Sequence, residues 1–401
     1  MQAIGIATNR PVIGISQKFT VHAAFLLLYP GFFFYQTLLG LGIIGAYLGG
    51  YFTLVALLLL PPLALTFIAA VKRNKDYLSG MDVWIAIFVF YYFSILAVNL
   101  FAGADPIIVE RYTQSMIFCF ETYVIFRIID LENKRLIWIT ALSLLVMSVI
   151  TYYFSIGGFF FLQALGEAKD PDNLATYQGF ARSYIYTYIV MIAVTRRMAT
   201  RYLSYAIGAC ALFLNGARSE FSAVLFLIPV VELYYAKHRL YAISVLVFIV
   251  GLAAGGIEQI TSMLPDNRIL QLLDLSHSTS AVAREHLSQN AIRTISENPI
   301  FGDFASYPDG HYAHNVLCAW VDFGLFGVVF FLSLLLAHAA WLFFNGFFAK
   351  ARSPYFVLAW SFICITILWA LTAKNMPDMS VGAAMGAFAR YGYRKKCRLE
   401  R

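Results

Sequence analysis

The sequence predicts an all-α polytopic integral membrane protein with about twelve transmembrane helices, both termini cytoplasmic, and one large outer loop carrying short helices. Three observations carry this. The 401 residues are 60% hydrophobic and only 13% charged, against roughly 25% charged in a soluble domain. Apolar runs recur along the whole chain, most near the roughly 20 residues that a helix needs to cross the hydrocarbon core. Lysine and arginine gather in alternate gaps between those runs, the asymmetry that marks cytoplasmic loops.

The first run, near 20–40, follows MQAIGIATNRPVIGISQKFTV. Its scattered basic residues and missing small-residue cleavage site predict a retained span. The second, 42–71, is separated from it only by Gly and Pro interruptions. Then come 83–103, 112–129, 136–156, 183–195, 202–215, 220–236, 240–257, 313–345, 354–373 and 379–392, the last short for a span. With the N-terminus inside, the inner gaps and tails collect 21 of the 29 basic residues. The other eight are Arg111, Lys169, Arg182, Arg218, Arg268, Arg284, Arg293 and Lys374. The runs make one membrane domain, 1–401, with no internal repeat and no soluble domain. Cys119, Cys210, Cys318 and Cys364 fall in apolar stretches and Cys397 in a basic tail, so no disulfide framework is expected.

Two outer loops are long, 157–182 and 258–312. The larger holds His277, His286 and His311, with His314 at its edge, four of the seven histidines. Its stretch SAVAREHLSQNAIRTISENP has helical periodicity, closed by Asn298-Pro299. Loops of such length are usually functional.

Arg218, in LNGARSEF, sits at an outer turn, at a depth where an arginine is costly. Either it snorkels, pairing with Glu220 or a lipid phosphate, or its guanidinium fork is aimed at a phosphate or pyrophosphate. Arg284 and Arg293 lie on the loop helix about two and a half turns apart, pointing to partly different faces. Arg284, preceded by AVA, is expected to turn towards the bundle. His314 stands at the mouth of the run VLCAW; it is either a satisfied interfacial polar group or a proton acceptor near neutrality. Asn315 beside it reads as a helix cap. Asp322, two turns further on nearly the same face, is an intramembrane carboxylate that needs a partner and is expected to orient the imidazole. Gly324 and Gly327 are spaced for close helix packing. A metal held by His311 and His314 with Asp303 or Asp309 is disfavoured, since a short His pair is a weak motif and the PDG turn argues against helix there. No Walker loop, dinucleotide fingerprint or regular series of intramembrane charges is present.

The ARSE turn, then AREHLSQNAIRTISENPIFGDF, then GHYAHNVLCAWVDFGLFG together resemble the bacterial O-antigen polymerase and O-antigen ligase superfamily over residues 215–327. These are multi-span glycosyltransferases of the GT-C type that act on undecaprenyl-pyrophosphate-linked saccharides. The ligase signature places nine residues between its His-Asn pair and Gly-x-x-Gly, whereas here eight separate Asn315 from Gly324. That departure favours the polymerase branch. The resemblance implies that Arg218 and Arg284 engage the donor's pyrophosphate and that His314 acts near the acceptor. Arg182, Arg293, His311, Tyr312 and Asn315 are further candidates for substrate contact, and Glu220 and Asp322 for support. Tyr177, Phe180, Tyr307 and Tyr312 are aromatic candidates for sugar stacking or for an interfacial belt.

It further implies polymerisation of lipid-linked repeat units at the periplasmic face of the bacterial inner membrane, for lipopolysaccharide biosynthesis, without metal or cofactor. The partners expected are undecaprenyl-pyrophosphate-linked glycans, membrane lipids and a chain-length regulator, with no nucleic acid. The rivals are a ligase that uses lipid A–core as acceptor, a transporter of the lipid-linked sugar, and a structural scaffold. A transporter would show midplane charges and broken helices in corresponding positions, and this chain offers mainly Glu121 and Asp322.

Overall fold

The computed structural model describes residues 14–256, 259, 269–270, 279–308, 311–374 and 376–399. His277, Asp309, Arg268 and Arg10 lie outside the described residues. Among the described residues, twelve helices overlap the twelve predicted runs. They are α1 (Ile15–Gly40), α2 (Phe52–Arg73), α3 (Gly80–Phe101), α4 (Pro106–Ile128), α5 (Lys134–Tyr153), α6 (Tyr177–Val194), α7 (Met198–Asn215), α8 (Arg218–Tyr235) and α9 (Arg239–Gly255), followed after the loop helix α10 (Thr279–Glu297) by α11 (Leu317–Phe347), α12 (Pro354–Thr372) and α13 (Met379–Leu399). Six of them, α1, α2, α3, α5, α11 and α12, are long and apolar enough to cross a membrane.

Local chemistry sets the ends. Ser79 and Asp82 form a reciprocal capping box at the start of α3. Asp105 caps α4 with Pro106 at its first position, and the Asn133 side chain accepts from Arg135 and Leu136 N–H at the start of α5. Pro30 lies in a π turn, Leu27–Gly31, which lets α1 continue through it. Three expectations shift. The run 42–71 begins as helix only at Phe52, because residues 41–51 form turns. The loop placed at 157–182 ends earlier, since α6 starts at Tyr177 and takes Arg182 onto a helix. The run 136–156 ends as helix at Tyr153, and a small hairpin then pairs Ser155–Ile156 (β1) with Phe159–Phe160 (β2) across two glycines at positive φ.

Among the helices outside these six, α4, α6 and α13 are wrapped by the bundle, whereas α9 is apolar but short and lies exposed. α6 buries twelve residues of its eighteen, so its polar groups, Ser183 and Thr187 among them, bond to Tyr29 and to its own backbone away from lipid. α4 buries Arg127 completely against Asp82 at 3.0 Å, its guanidinium over the Tyr77 ring. α13 packs on α4 through Gly382 and Gly386, a small-xxx-small step. A Cβ at Gly382 would meet the Cys119 carbonyl oxygen at 1.9 Å, and one at Gly386 the Tyr123 carbonyl oxygen at 2.3 Å. The two glycines meet Cys119 and Tyr123 in that order, so α4 and α13 run parallel.

Gly324 has a different use from the helix packing expected of it. It breaks α11 with φ 67° and ψ −171°, and the chain leaving α10 docks into the break. Leu325 N–H donates to the Ile300 oxygen at 3.0 Å and Asp303 N–H to the Val321 oxygen at 2.6 Å. A Cβ on Gly324 would lie 2.3 Å from the Ile300 oxygen. This join holds α10, and Arg284 with it, against the end of α11. Gly324→Ala is therefore expected to cost about 1–3 kcal/mol, read as a lowered melting temperature of the detergent-purified protein, whereas Gly80→Ala, with nothing within 4 Å of the added Cβ, should change it far less.

Candidate functional site

One end of the bundle gathers charge from five pieces of chain. On α6, Arg182 Nη2 lies 3.2 Å from Asp378 Oδ2. Asp378 precedes α13, and its Oδ1 accepts from Ser380 N–H at 2.9 Å, so the same carboxylate caps α13 and holds the arginine. Arg218 opens α8, followed by Ser219, whose carbonyl oxygen accepts from Trp369 Nε1 at 3.0 Å. Glu220, fully buried, takes the Lys374 ammonium at 3.0 Å and the Ser219 hydroxyl at 2.6 Å. Glu220 thus partners Lys374, which sits with Asp378 in the link between α12 and α13.

The irregular segment 311–316 lies within electrostatic reach of these ion pairs. The Tyr312 and His314 rings lie 4.5 Å apart, centre to centre. Asn315 Oδ1 accepts from Leu317 N–H at 3.0 Å, but the cap position of α11 falls to Val316 and not to Asn315 as predicted, and the Asn315 Nδ2 donates to Ser288 on α10 at 3.3 Å. His314 is half-buried, and burial holds its imidazole below the ordinary value of 6.5; the Arg284 and Lys374 cations add to that depression. Its neutral form therefore prevails at pH 7. Burial and Cys318 push the Tyr312 phenol up, and Arg182 and Arg284 pull against them, with Asp378 raising it again. Arg182, Arg284, Lys374 and Asp378 thus act on the segment Tyr312–His314 together.

Lys374→Met is expected to raise the His314 pKa by removing one of the cations that depress it. If His314 serves as a base, the acid limb of the pH–rate profile should move to higher pH. A limb left in place would show that Lys374 does not act on the imidazole.

Not every candidate joins this cluster. Arg284 and Arg293 are both exposed on α10, nine residues apart and so on opposite sides. Arg284 is not turned into the bundle as expected, but its side of the helix acts on Tyr312 and His314 and that of Arg293 does not. His311 is exposed at the start of the segment 311–316. The expectation that Asp322 orients His314 is corrected. Its carboxylate, buried on α11, accepts from Tyr112, from Tyr307 at 2.8 Å, from Cys318 Sγ at 2.9 Å and from Ala305 N–H at 3.3 Å. Four residues separate it from Cys318 on the turn below, and those donors face it before the imidazole does. Asp322 ties the loop 303–308 to α4 and α11, a fastening role. Phe180 is only 2% exposed and packs on Phe33 and Phe160, which removes it from sugar stacking. Among the described residues, no group of three or more His, Cys, Asp or Glu side chains could hold a metal ion.

Lys374 and Asp378 were missed as site residues. Lys374 carried the needed signal, since it is one of the eight basic residues on the outer side of the predicted topology, the same violation that pointed to Arg218. Asp378 carried none, because its role depends on α6 standing beside α13. A cavity of about 200 Å³ opens beside Arg182, with Leu28, Tyr29, Phe32, Phe52, Phe118 and Met379 among its walls. Comparison with known protein families, with curated proteins and with solved structures finds no match.

Proposed function

We propose that the chain is a bacterial inner-membrane glycosyltransferase that polymerises undecaprenyl-pyrophosphate-linked repeat units at the periplasmic face. In this reading all twelve bundle helices span the membrane and both termini are cytoplasmic. The supporting observation is that Arg284 and Lys374 act on a neutral His314 and Arg182 on the neighbouring Tyr312, with Arg218 beside the Lys374 partner Glu220 in the chain and an apolar cavity beside Arg182. Four cations against the carboxylates of Glu220 and Asp378 leave a net charge of two, which complements a pyrophosphate diester of the opposite charge. An apolar cavity ending at a guanidinium suits a lipid tail that ends in a phosphate.

The chemistry follows from where charge develops. The acceptor sugar hydroxyl attacks the anomeric carbon of the donor glycan, a new C–O bond forms, and the bond to pyrophosphate breaks with its electron pair leaving on oxygen. Guanidiniums placed beforehand stabilise that leaving group, usually the largest catalytic term. His314 takes the acceptor's proton. Metal-independent transfer of this kind draws only on an activated substrate already in the membrane.

Purified protein incubated with lipid-linked repeat units alone is expected to yield a ladder of products on a gel. Product formed only after lipid A–core is added would assign the ligase reaction instead, and no new bond under either condition would leave transport. Arg218→Lys is expected to lose nearly as much polymer as Arg218→Ala in a complementation assay, because a point charge cannot replace a planar fork. Wild-type polymer length and yield in Arg218→Lys would rule out bidentate binding by this residue.

A further inference from the structure

We infer that the turn Pro299–Gly302, which follows the loop helix α10, is immersed among lipid acyl chains in the leaflet nearest the candidate site, with Ile300 and Phe301 as its apolar tip. The stretch ENPIFGD has no charge between Glu297 and Asp303. Protein leaves its tip uncovered: Ile300 is 62% exposed and Phe301 88%.

The depth of the tip follows from what it docks on. Leu325 N–H donates to the Ile300 oxygen at 3.0 Å, beside the break at Gly324. At that height the Tyr92 and Tyr91 rings of α3 lie 4.9 Å from the Phe323 and Phe326 rings, and the Tyr91 hydroxyl donates to the Phe323 oxygen at 2.7 Å. Tyr91 is eleven residues from Gly80 and ten from Phe101, the two ends of α3. Ten residues of helix are roughly 15 Å, so the tip stands abreast of the middle of α3 and not beyond its end. Both α3 and α11 are long and apolar enough to cross a membrane. Leu325 and Phe326 on α11 and Phe90 on α3 are themselves exposed at this height, so Ile300 and Phe301 extend the surface that those helices offer to hydrocarbon.

Irregular backbone at such depth must bond to protein, because lipid offers it no partner. Pro299 has no N–H, and its oxygen accepts from Trp320 Nε1 at 2.8 Å. Gly302 N–H donates to the Asn298 oxygen at 3.0 Å, and Asp303 N–H to the Val321 oxygen at 2.6 Å. Val321 is one turn of α11 before Leu325, so the chain has started back towards the end of the bundle when it reaches the Asp303 charge. Gly302, at φ 72°, makes this reversal; a Cβ there would stand 2.3 Å from the Val321 oxygen. A second protein fits the tip less well than lipid does. One aromatic side chain offers roughly 150–250 Å². With an isoleucine beside it, the tip stays well short of the roughly 800 Å² that each partner gives a stable protein interface. Immersion of the tip holds α10, and Arg284 on it, through acyl chains as well as through the junction with α11.

Full-length protein carrying Phe301→p-benzoylphenylalanine, reconstituted in vesicles of dioleoyl phosphatidylethanolamine and dioleoyl phosphatidylglycerol and irradiated, tests this by intact mass. The side chain is exposed, so an aromatic replacement leaves the fold intact. A product heavier by one phospholipid is expected, at a yield equal to that from the same replacement at Phe90, exposed at mid-height on α3. The same replacement at Asp172, exposed in the link between β2 and α6, is expected to give none. A product of twice the protein mass would assign the tip to a second copy of the chain. No added mass at position 301, with lipid adducts formed at position 90, would place the tip in water or beneath another part of the chain. Either result, or equal lipid yields at positions 301 and 172, would overturn the proposal. It rests on α3 and α11 crossing the membrane, and none of these outcomes depends on glycosyl transfer.

Discussion

His314→Ala is expected to abolish polymer formation while the protein still accumulates in the membrane at its normal level. The imidazole is half-buried, stands 4.5 Å from the Tyr312 ring and makes no ion pair among the described residues, so truncation leaves no buried charge there. The structural cost should stay near the median for point substitutions, about 1 kcal/mol. The functional cost is that of a proton acceptor, roughly 10²–10⁴-fold in rate. The sign of the pH dependence follows from the environment. Burial together with Arg284 and Lys374 depresses the imidazole, so the basic form persists below pH 6.5 and the acid limb of wild-type activity should lie under that value. Polymerisation by His314→Ala at the wild-type rate, measured on purified lipid-linked repeat units, would remove the histidine from the chemistry. A loss of rate accompanied by loss of protein from the membrane would assign it a folding role.

Gly382→Leu is expected to prevent assembly of the bundle. The first side-chain carbon alone would stand 1.9 Å from the Cys119 carbonyl oxygen, a backbone atom inside α4 that no rotamer change can move. α4 and α13 would have to separate, taking apart the Gly386 contact one turn further on and the α13 end that carries Asp378. Overpacking in a core costs about 1–3 kcal/mol where side chains can adjust, and here the obstacle is main chain, so the effect should exceed that range. The expected result is little or no protein in a monodisperse detergent peak. Gly392→Leu on the same helix, where an added Cβ meets nothing within 4 Å, should behave as wild type. Equal yields of Gly382→Leu and wild type would show that the helices do not pack as closely as the structure places them.

The legibility of the helices and of the site differed for physical reasons. Hydrophobic length located all twelve runs, but their ends moved wherever polar residues were helical. α4 starts at Pro106 and carries Glu110 and Arg111 outside the apolar run that began at 112. α13 continues through Arg390, Arg394 and Lys395, past the predicted end at 392. Both are helices wrapped by others over part of their length, where protein replaces lipid as the surroundings and hydropathy loses its signal. At the site, Arg218, Arg284 and His314 stood out from the sequence because charge or imidazole beside an apolar run asks for a partner. Asp322 stood out for the same reason and found its partners elsewhere, in Tyr112, Tyr307 and Cys318. Cost alone shows that a partner is needed and does not say which one.

Composition and the order of residues determined that this chain is helical and apolar enough to enter a membrane, which end of each run is richer in cations, and which polar side chains are too costly to be idle. These depend on short windows, since transfer of a side chain out of water is decided by its own chemistry. Tertiary structure alone decided that Arg182 meets Asp378 and Lys374 meets Glu220, pairs separated by 196 and 154 residues, that Gly324 opens α11 to receive another strand, and that Gly382 admits α4. Those facts rest on distances of a few ångströms between residues far apart in the chain, and such distances arise only when the helices have packed.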